Sequence, residues 1–527
     1  MIYFIPAWGN GQIQGFNTDE MIGPIRSFID SDEDYRVIVS DYLPELRYFL
    51  HRFDLLESNF ISLYDELQGT AALDQKKITF KDLGFPEEAY FIYTPFNLLV
   101  YQGESCIGNI LLGEASQVLE ATHILEEGER RVDVYDDRGF LAMRKKFEGD
   151  SPLYTEVLDI KGEWIFRILE PQGNCIVNAQ NTKGLRHRTY ESQEELQFEG
   201  LDKLLTQMGK EDSLMVSLTN KNSSQIMKSS HLQRMSLSFF QRRFDLEKEN
   251  AVEILSQLAQ QSKNFILDNE ASLRKVTAML PQEKKRNIHH LTPYDTRFEL
   301  SLSQELKEEV LYVEARSMGE MRLYSIMGIL LEYMKNTLLQ EDQRVFKVII
   351  RVASYEDKRN LEQAIDERLF ESFPKEMLLL EKLPLSPKGE ETPEIEKIKE
   401  QFPLLTRIWA LKTAWNTQVI QNEAEIFKQM HQTRLVIDLS DTPDLFTQIA
   451  GISAGIPQIN SIRSEYVHHH KNGWVIEDID QLPLALEYYL ETLHHWQEAR
   501  AYSAQQIKQF SGPQLREKLQ KIVGEHI

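Results

Sequence analysis

The segment Arg434–Ile459 constrains the fold more than any other stretch of the chain. Leu435–Leu439 is an apolar run of strand length, and the residues behind it carry start and stop signals for a helix. Thr442 suits an N-cap, Pro443 the first helical position, and Asp444 the first turn, where the helix dipole favours a carboxylate. Gly455 is placed to end that helix in the left-handed conformation, and Ile456-Pro457 opens the next strand. Asn472-Gly473 then reads as a tight turn before Trp474-Val475-Ile476. A strand–helix–strand crossover of this kind predicts a parallel sheet covered by helices.

The same rhythm is expected at both ends of the chain. Ile2–Ile5 and Val37–Ser40 read as strands, with a Gly-containing loop after Pro6. Pro44 opens a helix whose Leu46, Phe49, Leu50 and Phe53 form one apolar face. Between Phe85 and about Gln180 the texture changes to short β-rich runs: Tyr90–Tyr93, Leu98–Tyr101, Val132–Tyr135, Trp164–Leu169 and Cys175–Val177. Turn signals at Asp136–Gly139 and Glu170–Gly173 separate them, which predicts an inserted antiparallel sheet. Strands return at Ser213–Leu218, Asn264–Leu267, Glu309–Glu314 and Val345–Val352. Helices are expected over Ser229–Phe240, Ala251–Gln261 and Met321–Leu339, and a loop over Leu383–Pro393. The expected class is α/β, with two Rossmann-like domains and an inserted antiparallel β-sheet domain in the first half. The expected boundaries are 1–84 and 191–300 for the first Rossmann-like domain and 85–190 for the insert. The second Rossmann-like domain spans 301–493, and C-terminal helices over 494–527 return to the first.

Composition narrows the function classes. With 59 Lys+Arg against 82 Asp+Glu the 527-residue chain carries a formal charge of −23, which opposes a nucleic-acid backbone. Two cysteines cannot build a disulfide framework, and a reducing cytosol suits them. No run of 18 apolar residues occurs, so a membrane-spanning helix is not expected. These features point to a cytoplasmic protein, with peripheral association at the inner face of the cell membrane left open.

Two resemblances rest on particular residues. Arg434–Leu490, with Gly455-Ile456-Pro457 and Asn472-Gly473-Trp474, resembles the nucleotide-sugar half of retaining GT-B glycosyltransferases. Tyr42-Leu-Pro-Glu-Leu-Arg-Tyr-Phe-Leu-His-Arg52, Leu63-Tyr-Asp-Glu-Leu-Gln68, His290-Leu-Thr-Pro-Tyr-Asp-Thr-Arg297 and Phe446–Gln458 resemble the first Asp protein family of the accessory Sec system. That resemblance spans nearly the whole chain. It implies a GT-B-like fold and a non-catalytic component of the accessory SecA/SecY pathway, which exports serine-rich repeat glycoprotein adhesins. The implied partners are the second and third accessory Sec Asp proteins, the accessory SecA ATPase and the adhesin. No cofactor or metal is implied.

The residue chemistry bears on catalysis. In the retaining enzymes that the chain resembles, two glutamates eight positions apart hold the donor sugar and the ribose hydroxyls. Counted back from Gly455-Ile456-Pro457, these positions fall on Thr442 and Ala450, neither of which is a carboxylate. Asp441 and Asp444 lie nearby, but only a slip in register would recruit them. The arginine and lysine that such enzymes aim at the departing diphosphate map to Arg316, with a one-residue shift, and to Met321 or Arg322. The expected site is therefore degenerate, with Arg316, Thr442 and Ala450 as its remnants and no catalytic residue. The alternatives are an active retaining transferase acting on a serine-rich acceptor, and a glycan-binding module.

Four further motifs have plain structural readings. Gly9-x-Gly11 with Gly15 lacks a glycine at Gln14 and reads as a turn. His468-His469-His470 cannot converge on one ion and reads as a solvated loop. Gly451-Ile-Ser453-Ala-Gly455 spells a hydrolase elbow but closes a helix instead of opening one. Arg47, His51 and Arg52 read as an exposed polar helix face for a partner. The cleft between the two halves, or the edge of the inserted sheet, is the expected docking surface.

Overall fold

The computed structural model describes residues 1–524 except 10–18, 95–96, 114–115, 126–127, 241–242, 283–286, 341–343, 381–402 and 421–422. The expected loop Leu383–Pro393 and the glycines Gly11 and Gly15 lie outside the described residues. The chain divides into two compact units, Met1–Pro293 with Arg516–Ile527, and Tyr294–Leu515.

The first unit is built on a seven-stranded parallel sheet. Its order is Ile288–His290, Asn264–Leu267, Met235–Phe239, Ser213–Ser217, Ile2–Ile5, Tyr35–Val39 and Phe60–Ser62. The strand order reverses between Ile2–Ile5 and Ser213–Ser217, so the carboxyl ends of those two strands border the switch point where such sheets hold ligands. Two expectations fail here. The loop after Pro6 gives way to a helix over Ile22–Ile29, with Ile22, Ile25 and Phe28 buried. Gly23 and Pro24 disguise it, yet Pro is tolerated in a first turn because the N–H it lacks has no intrahelical partner there. Ser229–Phe240 is not one helix: after a short 3-10 turn over Leu232–Arg234, Met235–Phe239 is a buried strand. Its Met-Ser-Leu-Ser-Phe alternation has period two, and the serines Ser236 and Ser238 are as buried as the apolar residues because helices cover both faces.

The insert is a ten-stranded antiparallel meander running from Tyr90–Tyr93 at one edge to Thr189–Tyr190 at the other. Register explains how it is held. At the late end, Val132, Val134, Met143, Val157, Phe166 and Val177 share one face and pack on the helices Leu63–Gln68 and Gln193–Leu205. At the early end the opposite face is buried, with Leu98, Val100, Ile110 and Ala121 closed over by Leu83 and neighbours. Gln68 adds a polar fastening, donating from Nε2 to Ala142 O at 2.8 Å and Leu158 O at 2.9 Å.

The second unit is a six-stranded parallel sheet ordered Trp415–Gln418, Val345–Arg351, Glu308–Glu314, Thr433–Asp438, Gln458–Asn460 and Gly473–Val475. Its switch point lies between Glu308–Glu314 and Thr433–Asp438. The crossover helix spans Leu445–Ala454 and ends on Gly455, whose φ of +67° is the expected left-handed stop. Its N-cap is Asp444, not Thr442: the Asp444 carboxylate accepts from Thr447 N at 2.7 Å, and Thr442 lies exposed in the preceding turn. Aspartate caps better than threonine, and the Asp444 amide is itself held by Asp438 Oδ2 at 2.7 Å. The Asn472-Gly473 turn is locked from inside. Asn472 is fully buried, donates to Tyr466 O and Gln506 Oε1, and accepts from His468 N.

Candidate functional site

Three apolar strands of the second unit end in a charge: Glu314, Arg351 and Asp438. Strand pairing aligns Glu314 with Arg351 and Tyr312 with Val436, so alternation puts Tyr312, Glu314, Arg351 and Asp438 on one face. That face, at the carboxyl edge beside the switch point, carries the candidate site.

The geometry there is a closed network. Glu314 Oε1 accepts from Arg316 Nε at 3.0 Å and Arg316 N at 3.2 Å. Its Oε2 accepts from Arg351 Nη1 at 3.0 Å and Thr447 Oγ1 at 3.2 Å. Arg316 reaches on to the Asp444 carboxylate, which lies 3.8 Å from Arg351. Asp438 accepts from Ser440 N, Ser440 Oγ and Asp444 N. Burial, then the Glu314 charge, pushes the Asp438 carboxyl up to about 7. Asp444 goes the other way: burial alone would raise it, but Arg316 and Arg351 hold it below the ordinary carboxylate range.

The three expected remnants do not form a pocket together. Arg316 is part of the network and partly exposed, Thr442 points to solvent in the turn, and Ala450 is fully buried in mid-helix. Arg322 is outside the network, donating to Leu439 O and pairing with exposed Asp441. Met321 is 85% exposed and contributes no charge. Sequence reasoning missed Glu314, Arg351 and Asp438, although each is a charge closing an apolar strand.

The first unit repeats the pattern at its own switch point. Glu20 accepts from Ser217 Oγ at 2.5 Å and from Arg243 Nη1 at 2.6 Å, and Asp19 pairs with Arg243 at 2.6 Å. A small pocket beside it is lined by Glu20, Met215, Ser238, Ile266 and Asp268. Burial, then the Asp19 charge, raises Glu20 from 4.5 to about 8, against Arg243 and the Ser217 hydroxyl. A carboxyl raised in the folded state favours the fold most below its unfolded pKa, and that advantage is lost as pH rises from there through about 8. Glu20→Gln should therefore gain stability relative to the parent as pH rises from about 4.5 to about 8, and hold a constant advantage above that. Paired thermal melts across that range check this, and a pH-independent difference would contradict it.

The remaining motifs are structural. Ser453 is fully buried and donates to Ile449 O at 2.9 Å. His469 Nδ1 accepts from Val475 N, and among the described residues no group of three or more His, Cys, Asp or Glu is placed to hold a metal ion. Arg47 is not part of a free helix face. It is ion-paired to Asp65, and its amide donates to Asp137. Among the described residues no helix is long and apolar enough to cross a membrane.

Two parallel Rossmann-like sheets with an antiparallel insert in the first define a GT-B-like α/β protein, and similar solved structures confirm the class. A pneumococcal O-GlcNAc transferase, solved with UDP and GlcNAc, is 14% identical, with 99% of this chain and 98% of that one covered at a TM-score of 0.67. The chain belongs to the family of the first Asp protein of the accessory Sec system, whose model matches residues 1–526. A relative of the same name in Streptococcus gordonii is 27% identical over 100% of this chain and 99% of its own. A chain from the crystal structure of accessory secretory proteins 1, 2 and 3 of Streptococcus pneumoniae is 26% identical, with 99% of each covered and a TM-score of 0.75.

Proposed function

We propose that this chain is a non-enzymatic component of the accessory SecA/SecY export pathway. It binds the second and third accessory Sec Asp proteins and assists modification and export of serine-rich repeat adhesins. The observation that carries the reading is the full-length similarity to a protein crystallised with accessory secretory proteins 2 and 3. The site chemistry supports it. Arg316, the cation an incoming diphosphate would need, is neutralised by Glu314 and Asp444, while Thr442 and Ala450 offer a hydroxyl and a methyl where donor-binding carboxylates would stand. The edge strand Tyr90–Tyr93 of the insert, with Tyr93 71% exposed, gives a partner strand backbone groups to pair with.

Co-expression with the other accessory Sec components tests the assembly. We expect co-elution with the second and third Asp proteins on size exclusion, and a chain that elutes alone in every combination would refute the reading. A radiolabelled sugar-transfer assay tests the absence of catalysis. The expected result is no turnover, and turnover abolished by changing Arg316 would make the chain an enzyme.

A further inference from the structure

We propose that the Asp444 carboxylate is a built-in anion that closes a diphosphate-binding site at the switch point of the second sheet. The inference rests on the reading of a transferase-like scaffold kept for binding, and it supplies the physical reason why such a scaffold would not hold a nucleotide. Four observations meet at this point. The site lies at the carboxyl edge of a parallel sheet where the strand order reverses, the usual ligand position of such sheets. The ten-residue helix Leu445–Ala454 starts there, and Asp444 takes the amide of Thr447 that an anion would otherwise use. Two guanidiniums face the same spot: Arg316 in direct contact with Asp444, and Arg351, 4% exposed, at 3.8 Å.

The fourth observation is independent of the cluster's own bonds. Tyr312 is fully buried, its hydroxyl has no hydrogen-bond partner among the described residues, and the charges of Glu314, Arg351, Asp444 and Arg316 all act on it. A buried hydroxyl without a partner is costly, and this one is a spare donor turned to the site. Asp444 is 22% exposed, whereas Glu314 and Arg351 are almost sealed, so the plug is the member that solvent can reach.

Charge arithmetic gives the consequence. Glu314, Asp438 and Asp444 oppose Arg316 and Arg351, so an incoming diphosphate meets two cations already engaged and a surplus of carboxylate. Without Asp444 the numbers are even, and Arg316 is freed toward solvent.

The test uses Asp444→Ser, which keeps an N-cap oxygen for Thr447 N while removing the charge, alongside Asp444→Asn. Inorganic pyrophosphate and UDP are titrated calorimetrically into the full chain, with circular dichroism and co-elution with the partner Asp proteins as fold controls. Pyrophosphate should bind the folded Asp444→Ser chain at least about tenfold tighter than the parent, the worth of one charge-assisted hydrogen bond. Adding Arg316→Gln should abolish the gain. UDP binding no better than pyrophosphate would assign the site to the diphosphate alone, and tighter UDP binding would extend it to the nucleoside. Folded Asp444 variants with the parent's pyrophosphate affinity, or a gain that survives Arg316→Gln, would overturn the proposal. Neither result touches the co-elution test of the proposed function.

Discussion

Replacing Arg138 with alanine should lower the stability of the first unit by about 3–5 kcal/mol, the range seen when one partner is removed from a buried ion pair. Its side chain is 10% exposed and makes bonds no smaller residue can replace. Nη2 donates to Asp65 Oδ1 at 2.8 Å and Asp136 Oδ2 at 2.7 Å, Nη1 donates to Thr70 O at 2.8 Å, and Nε donates to Asp136. Asp65 lies in the Leu63–Gln68 helix, while Asp136 and Arg138 lie in a turn of the insert. The cluster is therefore a charged rivet beside the apolar seam that fastens the insert. Alanine would leave Asp65 and Asp136 buried, with Arg47 compensating Asp65. Lysine would rescue only part of the loss, since one ammonium cannot replace the guanidinium fork. Hydrogen exchange should show protection lost across 129–148 before the parallel sheet opens. Arg167→Ala is the control: its pair with Glu156 is 35% exposed on the arginine side and should contribute under about 1 kcal/mol. Equal losses from both substitutions would show that the rivet does not hold the insert.

Much of this was legible in the residues themselves. The insert strands Tyr90–Tyr93, Trp164–Leu169 and Cys175–Val177 appear where turn chemistry and β-branched runs place them. Gly455 ends its helix because a left-handed residue is needed there. What stayed hidden depended on partners distant in sequence. A glutamate closing Leu-Tyr-Val-Glu reads as a solvated strand end, and nothing nearby reveals that Arg351, 37 residues on, and Thr447, 133 residues on, will bury it. The Met235–Phe239 strand hid for a related reason: its serines look like a polar face until helices cover both sides of the sheet. The Thr442 cap was a local tie between three polar residues, broken by the tertiary bond from the Asp444 amide to Asp438. Arg47 read as a free helix face because Asp65 and Asp137 are supplied by other segments.

Arg351→Met should be the most damaging single change in the second unit, at about 3 kcal/mol, because it strands a buried carboxylate in an apolar layer. Glu314 is 2% exposed, and its Oε2 would keep only the Thr447 hydroxyl. Ile420 O would lose the Arg351 Nε–H it accepts at 2.9 Å. Arg316 holds the other oxygen of Glu314 but is shared with Asp444, so it compensates incompletely. The informative variant is the pair, Glu314→Gln with Arg351→Met. If Glu314 and Arg351 serve only each other, removing both charges should recover most of the loss, and a double-mutant cycle would give a coupling of about 2 kcal/mol or more. Denaturant midpoints of the four proteins measure it. Co-elution of the paired variant with the second and third Asp proteins then separates architecture from function. A scaffold needs this network only to hold its fold, so the repaired double variant should still assemble. A repaired fold that no longer assembles would place the buried charges in the service of a ligand that the complex requires.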